Sequence, residues 1–135
     1  MTLDRETLVE NSVERFFRAL NNKDIATVEA NFTPDCAMRI PSSDLFYKNA
    51  HDTIVHLQEF VETFETINFH DFLVIAEPEK SRLAATFTVR LVDPEGEETV
   101  MRNANFFTFA EDGRICDILI IATQPLDKGF QAGRS

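Results

Sequence analysis

The stretch MRNANFFTFAEDGRICDILII, running from Met101 to Ile121, decides the fold. On either side of Glu111-Asp112-Gly113-Arg114 the side chains largely alternate between apolar and polar, the period of a half-buried strand, and the tetrapeptide has turn composition. The stretch therefore reads as an aromatic hairpin. Successive side chains of a strand point to opposite faces, so Asn103, Asn105, Phe107 and Phe109 share one face, and Ala104, Phe106 and Thr108 take the other.

Working outward, the segments Asn68 to Glu77 and Arg82 to Val92 read as further strands, with Pro78-Glu79-Lys80 and Asp93-Pro94-Glu95-Gly96 as turns. The hairpin strands extend over Val100 to Ala110 and Arg114 to Thr123. If Asn105 faces inward, so do Phe87, Val89 and Leu91 on the preceding strand and Cys116, Ile118, Ile120 and Ala122 on the last. Arg90, Asp117, Leu119 and Ile121 then lie outside. Leu119, Ile121 and Phe106 on that outer face form an apolar patch, which marks an interface.

The first half of the chain is helical in pattern. From Leu3 to Leu20 the residues Leu8, Val9, Val13, Phe16, Phe17 and Leu20 recur at helical spacing, with Glu6, Glu10, Glu14, Arg15 and Arg18 between them. Asp24 is placed to cap a second helix carrying Ile25, Val28 and Phe32, which Thr33-Pro34-Asp35 ends. A short strand from Cys36 to Ile40 and a loop at Pro41-Ser42-Ser43-Asp44 follow. A third helix, from about His51 to Thr66, puts Ile54, Leu57, Phe60, Val61 and Phe64 on one face and Glu59, Glu62 and Glu65 toward water. Helices followed by sequential strands with tight turns point to an α+β domain with an antiparallel sheet.

With 135 residues and 44% hydrophobic content, one core is expected, in a single domain over residues 1–124 with a mobile tail over 125–135. Thirteen phenylalanines against one tyrosine and no tryptophan put the aromatic mass into side chains with no polar tip, which belong inside. The net charge of −10 repels nucleic-acid phosphates and anionic membranes, and no apolar run is long enough to span a bilayer. A cytoplasmic protein is expected. Cys36 and Cys116 then read as buried free thiols of a reducing compartment, and no metal-ligand spacing joins them to His51, His56 or His70.

Three motifs taken in order carry a resemblance: Phe16-Phe17-Arg18-Ala19-Leu20-Asn21-Asn22-Lys23-Asp24, Phe32-Thr33-Pro34-Asp35-Cys36-Ala37, and Phe107-Thr108-Phe109 before Asp112-Gly113-Arg114-Ile115. Over residues 5–123 the chain resembles the nuclear transport factor 2-like superfamily, in its SnoaL-like and ketosteroid isomerase-like branches. The resemblance implies a cone, in which a strongly bent sheet and three helices enclose an apolar cavity. It also implies a homodimer through the outer sheet face. In isomerases of that superfamily a carboxylate base acts at the end of the first strand, while a tyrosine and a protonated carboxylic acid hold the oxyanion. Here those positions fall at Ile40, Phe16 and Asn105. Only Asn105 keeps a polar group able to bond a ligand oxygen.

The cavity is accordingly expected to be lined by Phe16, Leu20, Met38, Ile40, Tyr47, Phe60, Phe64, Phe87, Val89, Asn103, Asn105, Phe107, Ile118 and Ile120. If there is catalysis, the candidates are Asn105 with a base from His56 or Asp44, and Asp71 as a further choice. Asn49, where relatives often carry glycine, is expected to tolerate a positive φ. Two functions stand side by side. One is a cofactor-independent isomerase, dehydratase or polyketide cyclase-like enzyme acting on a largely apolar molecule with a carbonyl or hydroxyl. The other is a non-catalytic ligand-binding or accessory dimer, and a small subunit of a larger enzyme is a third.

Overall fold

The computed structural model describes residues 3–124, so the tail at 125–135 lies outside the described residues. Helix α1 covers residues 5–21 without a break, but only its ends, Arg5–Val9 and Ala19–Asn21, are α-helical. Glu10–Arg18 between them is a π-helix, in which the Ala19 N–H reaches back five residues to the Glu14 carbonyl. The wider turn broadens the buried face: Asn11, Ser12, Val13, Phe16 and Phe17 all turn inward, while Glu10, Glu14, Arg15 and Arg18 stay outside. The sequence spacing alone predicts an ordinary α-helix here. Asn11 and Ser12 enter the buried face because both find partners, Gly113 O for the Asn11 amide and Leu8 O for the Ser12 hydroxyl.

The remaining elements are helix α2 (Ile25–Ala30), strand β1 (Phe32–Ile40), strand β2 (Leu45–Tyr47), helix α3 (Ala50–Thr63), and strands β3 (Thr66–Glu77), β4 (Arg82–Val92), β5 (Glu98–Phe109) and β6 (Ile115–Ile121). Each helix starts on a side-chain cap: Asp4 accepts from Thr7 N–H, Asp24 from Thr27 N–H and Asn49 from Asp52 N–H. Asn49 is thus extended, at φ −149°, and caps α3 instead of adopting a positive φ.

One curved, unclosed sheet of six strands carries the order β2-β1-β6-β5-β4-β3. All neighbours run antiparallel except β1 and β6, which pair parallel because the last strand returns beside the first. The long β3-β4-β5 meander has Leu83, Ala85, Phe87, Val89 and Leu91 of β4 and Met101, Asn103, Asn105, Phe107 and Phe109 of β5 buried on its concave face. Ile118 and Ile120 of β6 join them, whereas a bulge at Cys116 brings Ile115 into the core and leaves Cys116 half-buried.

A second bulge bends β3. His70 faces Thr88 and Leu73 faces Thr86, so Asp71 and Phe72 together oppose the single residue Phe87. Asp71 takes φ 59° there. Arg102 of β5 reaches across β4 to hold it, donating to Asp71 O at 2.7 Å, to Asp71 Oδ2 at 3.1 Å and to the hydroxyls of Thr86 and Thr88. The extra residue switches parity, so that Ile67 and Phe69 before it and Phe72, Val74 and Ala76 after it all pack on the core.

The turn between β5 and β6 is tied to the helices by a chain of buried amides. Asn11 Nδ2 donates to Gly113 O at 2.6 Å, Asn31 Nδ2 to Asn11 O at 2.7 Å, and Ile115 N–H to Asn31 O at 2.8 Å. Gly113 has φ +89°, and a Cβ there would stand 3.0 Å from Asn11 Nδ2. Gly96, at φ +84°, has nothing within 4 Å of its Cβ direction. Gly113→Ala should therefore lower stability by about 2–3 kcal/mol and Gly96→Ala by about 1 kcal/mol. Urea denaturation of the two variants beside the parent protein measures the difference; equal losses would mean that Asn11 yields freely.

Candidate functional site

Where the sheet folds over α1 and α3, an interior space remains. Phe16 and Leu20 of α1, Leu57 and Phe60 of α3, Phe69 of β3, Phe87, Val89 and Leu91 of β4, Met101, Asn103 and Asn105 of β5, and Ile120 of β6 line it. The centre of a water-sized sphere can range through about 40 Å³ of this space. A single water needs only enough room for its sphere to fit, so a space through which the centre itself can range suits a compact group of several heavy atoms.

The lining is apolar apart from two carboxamides. Asn103 and Asn105 point the same way from β5, but they are spent differently. Asn103 Oδ1 accepts the Thr123 N–H at 3.0 Å and the Thr123 hydroxyl at 3.4 Å, tethering the end of β6. Asn105 is 2% exposed, and its Oδ1 is buried with no hydrogen-bond partner among the described residues. An unmet buried acceptor costs about 1–3 kcal/mol, so it calls for an explanation.

Phe16, Leu20, Phe60, Phe87, Val89, Asn103, Asn105 and Ile120, named from the sequence, stand in this lining. Met38, Ile40, Tyr47, Phe64, Phe107 and Ile118 are buried in the surrounding core without bordering the space. Leu57, Phe69, Leu91 and Met101 border it and escaped the sequence reading. Leu57 and Leu91 carried a signal, since both were read as inward-facing. Phe69 and Met101 became visible only with the register of β3 and β5 against β4.

The ionisable candidates fall elsewhere. Asp44 is exposed, in a left-handed turn at φ 54° that follows a 3₁₀ turn over Pro41–Ser43. Asp71 is exposed in the β3 bulge and held by Arg102. His56 is half-buried on α3 outside the lining, its ring centroid 4.0 Å from that of Tyr47 and tilted by 30°. Its Nδ1 lies 3.5 Å from Glu59 Oε2, so Glu59 leans onto the histidine where the sequence suggested a side chain in water. Among the described residues none that borders the interior space is ionisable.

The cysteines offer no nucleophile. Burial, reinforced by the neighbouring Cys116, Asp117 and Asp35, pushes the Cys36 thiol up, and burial does the same to Cys116. The reactive form is the thiolate, which both sites disfavour. No group of three or more histidine, cysteine or acidic side chains able to hold a metal occurs among the described residues.

Residues 13–118 match the family model described as the SnoaL-like domain. The chain belongs to that family. No curated protein matches this SnoaL-like domain. Among solved structures it is similar to a candidate polyketide cyclase from Xanthomonas campestris, with a TM-score of 0.76, 20% identity, and coverage of 87% of this chain and 90% of the other. It is similar to the BvnE pinacolase of Penicillium brevicompactum, with a TM-score of 0.76, 18% identity, and coverage of 91% and 88%. A steroid delta-isomerase from Pseudomonas aeruginosa superposes with a TM-score of 0.67 at 19% identity over 94% and 85% of the two chains. At these identities the likeness concerns the fold.

The contrast between the two carboxamides is testable without a ligand. Asn105→Leu removes an unmet buried acceptor from an apolar wall and should leave the protein as stable or up to about 2 kcal/mol more stable. Asn103→Leu breaks the tether to Thr123 and should cost about 1–2 kcal/mol. Chemical denaturation separates them, and a destabilised Asn105→Leu would make Asn105 a structural residue.

Proposed function

We infer that this SnoaL-like domain, acting as a single unit over residues 1–124, binds a small, uncharged, largely apolar molecule in its interior. The Asn105 carboxamide holds the ligand's carbonyl or hydroxyl. The observation that carries this reading is the buried Asn105 side chain with its Oδ1 unmet in an otherwise greasy wall. A ligand that hydrogen-bonds the carboxamide recovers part of the desolvation that folding leaves uncompensated. A charged ligand would find no counter-ion among the described lining residues, which favours a neutral one.

Binding is a better reading than turnover. Proton chemistry of the isomerase or cyclase kind needs an acid or base within about 2.6–3.2 Å of the reacting atom, directly or through one water. His56 and Asp44 stand outside the described lining, and Phe16 and Ile40 occupy the positions where the isomerase resemblance puts a tyrosine and a carboxylate. Organic extraction of the purified protein followed by mass spectrometry tests the proposal. A neutral apolar compound should accompany the parent protein and fall about tenfold in Asn105→Leu, the loss expected for one hydrogen bond. Equal retention in both would remove Asn105 from the site. Conversion of the retained compound without added cofactor would overturn the binding-only reading.

The working form is proposed to be a homodimer in the cytoplasm, the compartment that suits two free thiols. Strand register aligns Ile75, Ala84, Phe106, Leu119, Arg39 and Phe46 in one row across the outer face of all six strands. Ile75 is 69% exposed and Phe106 47%, and Leu73 and Ile121 extend the patch on the next row. The ion pairs Arg82–Glu77 and Arg39–Asp117 flank it. A second copy of the same face covers such a patch by two-fold symmetry. Light scattering should give a dimer mass for the parent and a monomer mass for Phe106→Glu; a monomeric parent would contradict the dimer.

A further inference from the structure

Beside the interior space, the turn between α1 and α2 is tied to the start of β3. As the last strand in the sheet order, β3 has no strand beyond it, and at Phe69 the Asn21 carboxamide takes that place. The Phe69 N–H donates to Asn21 Oδ1 at 2.6 Å, and Asn21 Nδ2 donates to the Phe69 carbonyl at 3.0 Å. Lys23 supplies a second tie. Its backbone sits in the left-handed region at φ 57°, and its ammonium donates to the carbonyl of Phe64, where α3 ends. A cation suits the negative end of a helix dipole. Both ties adjoin the lining, since Leu20 precedes Asn21 and Phe60 lies one turn before Phe64.

Of the described residues that border the space, Phe69 alone is half-buried, and the rest are buried. Solvent therefore comes nearest the interior at this residue. We propose that ligands enter between the end of α1 and β3 by displacement of Phe69, and that Asn21 is the positioning residue that keeps this gate shut. This rests on the reading of the interior as a ligand site and adds its route of access. The other strands of the lining, β4, β5 and β6, are paired on both sides and cannot part without breaking a ladder. Opening at Phe69 breaks the two bonds to Asn21, and water recovers the backbone groups set free. Inward the Phe69 ring rests 5.2 Å from Phe17, 5.5 Å from Phe87 and 6.3 Å from Phe60, centroid to centroid. Those contacts bring it back once a ligand has passed. Local openings of this kind cost less than global unfolding and gate access in many proteins.

A gate that opens more often speeds entry and release alike and leaves their ratio unchanged. The exchange of 4,4-difluorocyclohexanone, a compact neutral ketone, is followed by ¹⁹F NMR lineshape, which gives both rates and Kd. Asn21→Ala should raise association and release about tenfold, the worth of one hydrogen bond, and hold Kd within about twofold of the parent. Lys23→Met, which removes the other tie, repeats the comparison should the alanine fail to fold. Asp24→Ala removes the cap of α2 and lies outside both ties, so it controls for general loosening and should leave both rates at the parent values. Rates unchanged in Asn21→Ala, or raised equally in Asp24→Ala, overturn the gate and leave the ligand site standing. Faster release with association unmoved also overturns it, since Asn21 would then support the bound state and not the entrance. Failure of the ketone to bind the parent protein overturns the site and the gate together.

Discussion

Phe17 holds this fold together. Its ring lies 4.6 Å from Phe87, 5.1 Å from Phe72, 5.2 Å from Phe69 and Phe16, and 5.6 Å from Phe107, centroid to centroid. One side chain of α1 thereby touches all three strands of the long meander. Aromatic pairs in such tilted and edge-on arrangements add about 0.5–1.5 kcal/mol each beyond their buried area. With Phe17 seated, the sheet has to curl over the helix, and the space left beside that contact, next to Phe16, is the candidate site. The π-helical turn belongs to the same constraint. Within it the consecutive residues Phe16 and Phe17 both face inward, one toward the space and the other into the aromatic cluster.

The site combines a wall made for hydrocarbon with two carboxamides set into it, one of them spent on Thr123. Among the described residues the polar atoms of the core are mostly answered within the protein. Asn11, Asn31, Ser12 and Thr53 all bond backbone carbonyls, and Asn103 answers Thr123. Against that background the Asn105 oxygen is unanswered inside the core, as are His56 Nδ1 and Glu59 Oε2, which face each other at 3.5 Å outside the lining. Small-molecule sites are commonly built in this manner, with an apolar enclosure giving affinity and a few polar groups giving orientation.

Much of this architecture was legible in the residue pattern. The inward aim of Phe87, Val89, Leu91, Asn103, Asn105 and Phe107 followed from a period of two, because β4 and β5 pair without a bulge. The cap at Asp24 followed from residue chemistry, but the helix it starts ends at Ala30, and Phe32 to Asp35, expected as its last turn and stop, open β1 instead because Phe32 pairs with Ile115. What stayed hidden depended on partners distant in sequence. Asn103 and Asn105 look alike as letters, and only the fold brings Thr123 to one of them. The parity switch in β3 turns on a left-handed aspartate held by Arg102, 31 residues away. The π-helix leaves no trace in a spacing that suits 3.6 residues per turn equally well, and β2 has only three residues, too few for any period to register.

The β3 bulge bears on more than curvature. As the end of the order β2-β1-β6-β5-β4-β3, this strand is twelve residues long and, among the described residues, leaves one row of backbone groups free of a neighbouring strand. A flat edge of that length is a template on which stray chains can stack into fibrils. The kink at Asp71, a charge set midway along it, breaks the edge into two short pieces that no straight intruding segment can follow. The residue that shapes the interior thus also makes the rim a poor template for polymerisation.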